Sequence, residues 1–393
     1  MKLEVLPGRK GDCLLLHLTE DGQNRLVLID GGPRGVWEDD LAPRLEELVD
    51  ERGSGEKLTL DLVIVTHIDD DHINGILRLF NAIQLEDFPV EIAELWHNSF
   101  DRVLGNDETL KATKASVLNS IEQFGAQFTE DASHERGNAA LVLSSVAQGD
   151  RLLSQANALE IPVNPGFDNN LVMAHLPPKA RSIFGAQWTL EGPMRSELQA
   201  LQEVFDEWLS KQDDERTTAS LLASLADRSP ANLSSIVLTV EADGRRFLLT
   251  GDARSDHILR ALGEGSHHYD IIKLPHHGSD NNVHPEFFRT VIGDTYVFCG
   301  NGSHGNPERK TLEMLLDNRE AEGKPRLVFT ETIEDIDAKR KSEWKKQQRR
   351  NKKKGRKVTP WDPATMSLQM LFEERDDEID LIVPDEHGLL DML

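Results

Sequence analysis

The chain has 393 residues, 38% of them hydrophobic and 29% charged, enough for one large or two ordinary domains with a buried core. A formal net charge of −25 argues against a general nucleic-acid coating protein. No apolar run approaches the roughly 20 residues that span a bilayer, and the opening MKLEVLPGRKGDCLLLHL is broken by charges with no small-residue cleavage site after it, so neither a membrane span nor a secretion signal is expected. Cys13 and Cys299 are too few for a disulfide framework or a thiolate zinc site, which fits a reducing cytoplasm.

In chain order, LEVLPGRKGDCLLLHL reads as two strands joined by a Gly-Arg-Lys-Gly turn, and RLVLIDGG as a short strand stopped by two glycines. Leu41, Leu45 and Leu48 recur at helical spacing within Trp37–Glu51. LDLVIVTH is a continuous apolar run of buried-strand type that ends abruptly in HIDDDH, after which Ile73–Ile83 resumes a helical pattern and VEIAELW forms another strand ending at His97-Asn98. Residues from about 100 to 160, and again Leu190–Leu225, look helical with polar surfaces, so about 100–230 is expected to be a largely helical insertion or lid. SSIVLTVEADGRRFLLTGDA is the clearest hairpin, turning at Ala242-Asp243-Gly244. YDIIKLPHHGS and TYVFCGNGSHGNP are again apolar strands that stop at histidine-containing loops. Strand after strand thus ends in Asp, His or Gly at one edge, the way a layered α/β sandwich assembles a site.

The sharpest local signal is Thr66-His67-Ile68-Asp69-Asp70-Asp71-His72-Ile73-Asn74-Gly75. It offers four candidate ligands, His67, Asp69, Asp71 and His72, directly after a buried strand, where a tight turn can aim them at a common centre. Imidazole with carboxylate suits Zn²⁺, Mn²⁺ or Fe²⁺ rather than Ca²⁺. A solvated Asp-rich loop or a helix N-cap would account for the aspartates, but not for histidines flanking them after VIVT. Asp30-Gly31-Gly32 lacks GxGxxG spacing, no GxxxxGK[ST] loop is present, and Ser279 has no GxSxG around it, so dinucleotide, P-loop and serine-hydrolase chemistry are unsupported.

These motifs resemble the metallo-β-lactamase fold hydrolases, whose THxHxDHxG signature appears here with Asp69 in place of the second His. The HxDxDH form is similar to the soluble nuclease domain of ComEC-type competence proteins. Gly11-Asp12-Cys13, Leu28-Ile29-Asp30-Gly31-Gly32, Leu248-Leu249-Thr250-Gly251-Asp252 and Leu274-Pro275-His276-His277-Gly278-Ser279 follow in the same order. The resemblance implies a four-layer αββα sandwich over 1–310 with a charged C-terminal extension, 311–393. It also implies two divalent metal ions, Zn²⁺ or Mn²⁺. His67 and Asp69 would hold one ion, Asp71 and His72 the other, and Asp252 would bridge them. One of His276 and His277 would complete the second site, the sequence not saying which. His97 is the best-placed further ligand for the first ion, with His134 and His175 as alternatives in poorer strand context. Asp30 would organise the ligand loops by hydrogen bonding. Asp69 in place of an imidazole shifts the preference toward Mn²⁺, with Zn²⁺ still open.

The implied activity is metal-dependent hydrolysis by a water activated between two ions. Asp71 or its neighbour Asp70 would guide the proton, and His304, in GSHGNP, would protonate the leaving group or touch substrate phosphate. The resemblance favours phosphodiesters, hence a phosphodiesterase or nuclease, one component of a multi-protein system. A small-molecule ester hydrolase and a weakly catalytic binding subunit are the alternatives, because this fold hosts many chemistries. Residues 339–357 hold 12 Lys or Arg against one Glu. That segment would track a nucleic-acid backbone with Trp344 stacking on a base, or else form a solvated helix or a loop docked on the acidic body. The acidic tail beyond Met366 would add an edge strand or pack as a terminal arm.

Overall fold

A computed structural model describes residues 1–53, 55–98, 148–199 and 234–384. It divides into two compact units, one made of 1–25, 178–191 and 237–393, the other of 26–177 and 192–236. His134 and most of the range 100–230 lie outside the described residues.

The second of these units is built on short parallel strands. β3 (Gln23–Ile29) pairs with β5 (Leu62–Val65), and β5 with β7 (Leu95–His97), in the registers Leu28↔Val63 and Val65↔His97. Leu62–Val65 is apolar at every position because both faces are covered, and all four side chains are fully buried. β4 (Leu58–Leu60) and β6 (Val90–Ile92) form a separate parallel pair. VEIAELW is therefore two strands rather than one: β6 follows β4, the chain breaks step at Ala93-Glu94, and β7 joins β5. Helix α1 (Ala42–Arg52) has Pro43 in its first turn and follows a wider turn over Trp37–Leu41, burying Leu41, Leu45 and Leu48. Helix α2 (Asp70–Leu85) starts inside the Asp run, with Asp69 at its N-cap, and buries Ile73, Ile76, Leu77 and Phe80 at helical spacing.

The other unit contains the antiparallel pair β1 (Lys2–Val5) and β2 (Leu14–Glu20) and an eight-stranded sheet. Its strands are β8 (Ala180–Ile183), β9 (Ala186–Gly192), β10 (Val237–Ala242), β11 (Arg245–Leu249), β12 (His267–Lys273), β13 (Val291–Phe298), β14 (Arg326–Phe329) and β15 (Asp380–Ile382), lying side by side in chain order. β10 and β11 form the expected hairpin, with Asp243 and Gly244 both at positive φ in its two-residue turn. From β11 to β15 every pairing is parallel, with helices between most of the strands. α3 (Ser255–Leu262), α4 (Pro285–Thr290) and α5 (Arg309–Asn318) contribute Ile258, Phe287, Phe288, Leu312 and Leu315 to one core with Leu248, Ile272 and Phe298.

One expectation changes here and another is met. β8 and β9 form an antiparallel hairpin inside the range expected to be a helical insertion, while 148–158 is helical. The acidic tail does supply an edge strand, since β15 pairs with β14. The basic segment lies mainly on α6 (Ile333–Lys353), N-capped by Thr332, whose side chain accepts from the Asp335 N–H. No helix among the described residues is long and apolar enough to cross a membrane.

Candidate metal centre

In both units the candidate residues cluster at the carboxyl ends of parallel strands, where open α/β sheets place their ligands. β3 runs into Asp30, β5 into Thr66-His67, and β7 ends on His97 itself. β11 runs into Thr250-Gly251-Asp252, β12 ends at Lys273 just before His276-His277, and β13 leads to the loop carrying His304.

The cluster in the unit of β3, β5 and β7 is organised by Asp30, which is fully buried and held at φ 57°, a left-handed conformation costly for a residue with a side chain. Its Oδ1 accepts the Thr66 N–H at 2.8 Å, and its Oδ2 accepts the Thr66 hydroxyl at 2.6 Å. Oδ2 also lies 2.7 Å from Nδ1 of His72. An ionised carboxylate only accepts, so Nδ1 of His72 is the protonated nitrogen and Nε2 keeps the lone pair. The Thr66 hydroxyl, having given its proton to Asp30, receives the Nδ1 of His67 at 3.1 Å. His67 is thereby set in the same tautomer, again with Nε2 as the basic nitrogen. The two imidazole centroids are 4.1 Å apart, both rings are buried, and Nε2 of His67 lies 3.7 Å from Oδ2 of Asp69.

This alignment depends on two glycines. Gly31 donates to the carbonyl of His72 at 2.8 Å and Gly75 to the carbonyl of Gly32 at 3.2 Å, so the strand exit lies flat on the first turn of α2. A Cβ on Gly75 would stand 1.9 Å from the Gly31 carbonyl oxygen.

Asp70 and Asp71 occupy that first turn half-exposed, and Asp70 Oδ1 accepts from Nε2 of Gln148 at 3.0 Å. The Asp run is thus both a helix start and a candidate ligand loop. His97 is fully buried, and the amide of Asn164 grips its backbone, accepting from its N–H and donating to its carbonyl, each at 2.8 Å. His175 is exposed.

The unit of the large sheet carries a second cluster. Asp12, Asp252 and His277 are all buried, and each offers a ligand atom within 4.8 Å of the others'. His277 Nδ1 is 3.2 Å from Asp12 Oδ1, and its Nε2 is 3.4 Å from Asp252 Oδ2. Burial disfavours charge on this imidazole, yet Asp252 and Asp12 outweigh it and push its pKa up to about 9. Lys273 is only 1% exposed; its ammonium pairs with Asp12, lies 3.7 Å from Asp252 Oδ1, and donates to the Gly251 carbonyl at 2.8 Å. The desolvation of this ammonium is more than offset by the two carboxylates, which hold it firmly protonated. Burial and the nearby Asp12 charge push the Cys299 thiol well up, and both cysteines are buried.

His276 is more open than His277, with 28% of its side chain exposed; its Nδ1 meets Asn282 Oδ1 at 2.9 Å and its Nε2 stands 3.7 Å from Asp252 Oδ2. Both histidines adopt positive φ, 47° and 54°, a strained turn that sets their rings edge-on, with centroids 5.8 Å apart. His304 sits exposed at φ 57° in a tight loop that rests on α6, where Arg340 donates to the Gly305 carbonyl at 3.1 Å.

The donor chemistry of each cluster, buried imidazole with carboxylates fixed beside it, fits a divalent cation. Asp12, Lys273, Asn164 and Asn282 carry no role in the sequence reading. The available signal was a charged lysine closing the otherwise apolar run IIKLP, which a buried strand tolerates only with a partner.

Residues 6–143 match the family model of the metallo-beta-lactamase superfamily. The match takes in Asp12, Asp30, the His67–His72 cluster and His97, and it supports a metal-dependent hydrolase. No curated protein matches the chain. Among solved structures, a crystal structure of a beta-lactamase domain protein from Burkholderia ambifaria is 16% identical over 46% of this chain, with a TM-score of 0.22. The alignment spans 40% of that protein's length. A protein of unknown function from Enterococcus faecalis V583 is 10% identical over 99% of this chain and 78% of its own, with a TM-score of 0.29.

Proposed function

We propose that the protein is a metal-dependent phosphodiesterase acting on polynucleotides. Its ligands would be His67, Asp69, Asp71, His72, His97 and Asp252 with one of the pair His276 and His277. The observation that carries this reading is the Asp30 carboxylate, buried and bonded to both His72 and Thr66, which presets two imidazoles for ligation. A buried carboxylate–imidazole pair of this kind is the usual outer support of a metal-binding histidine. Two divalent ions bound there would supply Lewis acidity and a water activated at neutral pH.

The chain's own groups divide the remaining work. Asp30 holds the ligand rings in orientation, and the buried Asp252 adds carboxylate charge where cations gather. Asp71, half-exposed on the first turn of α2, would take the proton released when water attacks. His304, exposed on its loop, would return a proton to the leaving oxygen. The polynucleotide assignment is supported by α6, where Lys341, Lys345, Arg349, Lys352 and Lys353 are exposed on one helix of a chain carrying a net charge of −25. Among the described residues the ion pairs of 341–357 reduce to Lys346 with Glu343, so the segment's cations are not spent on the acidic body. The indole N–H of Trp344 donates to the Thr359 carbonyl at 3.0 Å, tying the following loop back to this helix.

The test is metal content by elemental analysis with Mn²⁺-dependent hydrolysis of bis-p-nitrophenyl phosphate, single- and double-stranded DNA, and RNA. The control is Asp71→Ala with His72→Ala. About two metals per chain and polynucleotide cleavage that disappears in the control are expected. No bound metal after reconstitution overturns the reading, and metal without phosphodiester cleavage moves the substrate to another ester.

A further inference from the structure

The Asp12–Lys273 pair has no place in the scheme above, yet it is among the most deeply buried charges of the protein, at 1% exposure for each residue. Burying such a pair is expensive unless every donor and acceptor is used. Here the uses can be traced. The Lys273 ammonium gives one hydrogen bond to Asp12 and one to the Gly251 carbonyl and lies near Asp252. Asp12 receives the ammonium on Oδ2 and faces His277 Nδ1 with Oδ1. The ammonium thus holds one carboxylate oxygen while the other stands 3.2 Å from His277 Nδ1, and a cation bound to Asp12 would stand against a fixed ammonium.

We propose that Asp12, anchored by Lys273, is a positioning residue that selects His277 over its neighbour His276 as the metal-binding imidazole. The proposal rests on the metal-dependent reading above. With Asp12 Oδ1 standing 3.2 Å from Nδ1, a proton held on Nδ1 leaves Nε2 of His277 as the basic nitrogen, on the side facing Asp252. The arrangement repeats the logic of Asp30 and His72 with a different carboxylate. His276 is supported differently, by the neutral amide oxygen of Asn282, and is partly open to solvent. A neutral acceptor raises the basicity of the opposite nitrogen less than a carboxylate does. Lys273 contributes by fixing Asp12 in place, and by offsetting its negative charge so that Asp12 does not compete for the ion.

The test uses the full-length protein loaded with Zn²⁺. In wild type, long-range ¹H–¹⁵N NMR of the histidine rings is expected to show the His277 proton on Nδ1, assigned by its loss in His277→Gln. A proton on Nε2 instead overturns the proposal without any variant of the pair. The double variant Asp12→Leu with Lys273→Met replaces the ion pair by apolar side chains of similar size, an exchange that cores often accept. It is expected to bind Zn²⁺ about 10–100-fold more weakly by competition with a chelating dye while melting cooperatively. Asp12→Asn with Lys273→Met, which restores an acceptor oxygen, is expected to recover part of that loss. Unchanged affinity in the Leu/Met variant overturns this inference alone, and so does loss of a whole metal equivalent in the Asn/Met variant, which would make Asp12 a ligand. A wild-type protein that binds no divalent ion overturns the metal reading together with it.

Discussion

Gly31 and Gly75 meet backbone to backbone, with so little room that a methyl group on Gly75 would come within 1.9 Å of the Gly31 carbonyl. That contact lets the exit of β3 reach α2, and it brings Asp30 to 2.7 Å from His72. Gly75→Ala must therefore push the helix and strand exit apart. We expect a loss of stability of about 3 kcal/mol, read by urea unfolding, together with weaker metal binding. A variant with unchanged stability would show that the contact relaxes freely.

Asp30 itself can be tested more directly. Asp30→Asn keeps the size and left-handed tolerance of the residue but exchanges the carboxylate for an amide, so His72 and Thr66 lose a charged acceptor. Metal affinity should fall by about 10–100-fold in isothermal titration with Mn²⁺. Equal affinity in the variant would mean that the tautomers of His67 and His72 are set by something other than Asp30.

Glu308, whose N–H donates to the Gly278 carbonyl at 3.0 Å, gives a pH prediction. Burial, and then the negative charge and shared hydrogen bond of Asp280, push its carboxyl up to about 7 from the ordinary 4.5, with Arg340 pulling the other way. Lys310 pairs with Asp280 at 2.7 Å on the exposed side. The folded protein then holds a proton that the unfolded chain releases above its ordinary value. The resulting stability is fully present below pH 4.5, declines as pH rises toward 7, and is flat beyond. The decline should be on the order of 3 kcal/mol. Glu308→Gln should remove this component of the pH dependence of thermal unfolding, and a curve identical to wild type would refute the assignment.

The basic helix predicts a salt signature. Replacing Lys341, Lys345 and Arg349 by Ala should weaken binding of single-stranded DNA about equally for all sequences. The slope of log K against log salt should fall by roughly 2–3, about one phosphate contact per residue. Binding measured by fluorescence anisotropy at several salt concentrations checks this. An unchanged slope would assign the cations to another partner or to none.

The strand-end motifs were legible because each apolar run stops at once in polar residues; Leu62–Val65 before Thr66-His67 is the plainest case, and the structure has that strand fully buried. The role of Asp30 as an organiser was legible for the same reason, as a carboxylate closing a strand beside two glycines. Asp12 and Lys273 were not, because their meaning lies in a pairing across 261 positions of chain, and a lysine closing an apolar run signals a partner without saying which. The division of VEIAELW was hidden too. Its pattern is continuous, and only the competing partners β4 and β5 decide that it splits. In the range 100–230 polar helical composition masked the hairpin of β8 and β9, whose strands are half exposed at their tips.

One unit is threaded from three separate stretches of chain, 1–25, 178–191 and 237–393. During synthesis the hairpin of β1 and β2 is made well before β12, and Asp12 can meet Lys273 and His277 only after β12 has followed it out. Contacts of such long range form late and slowly. Until they form, Asp12 is an exposed carboxylate and His277 an ordinary imidazole. This half of the candidate ligand set thus comes together only after the histidines of HIDDDH have long been made.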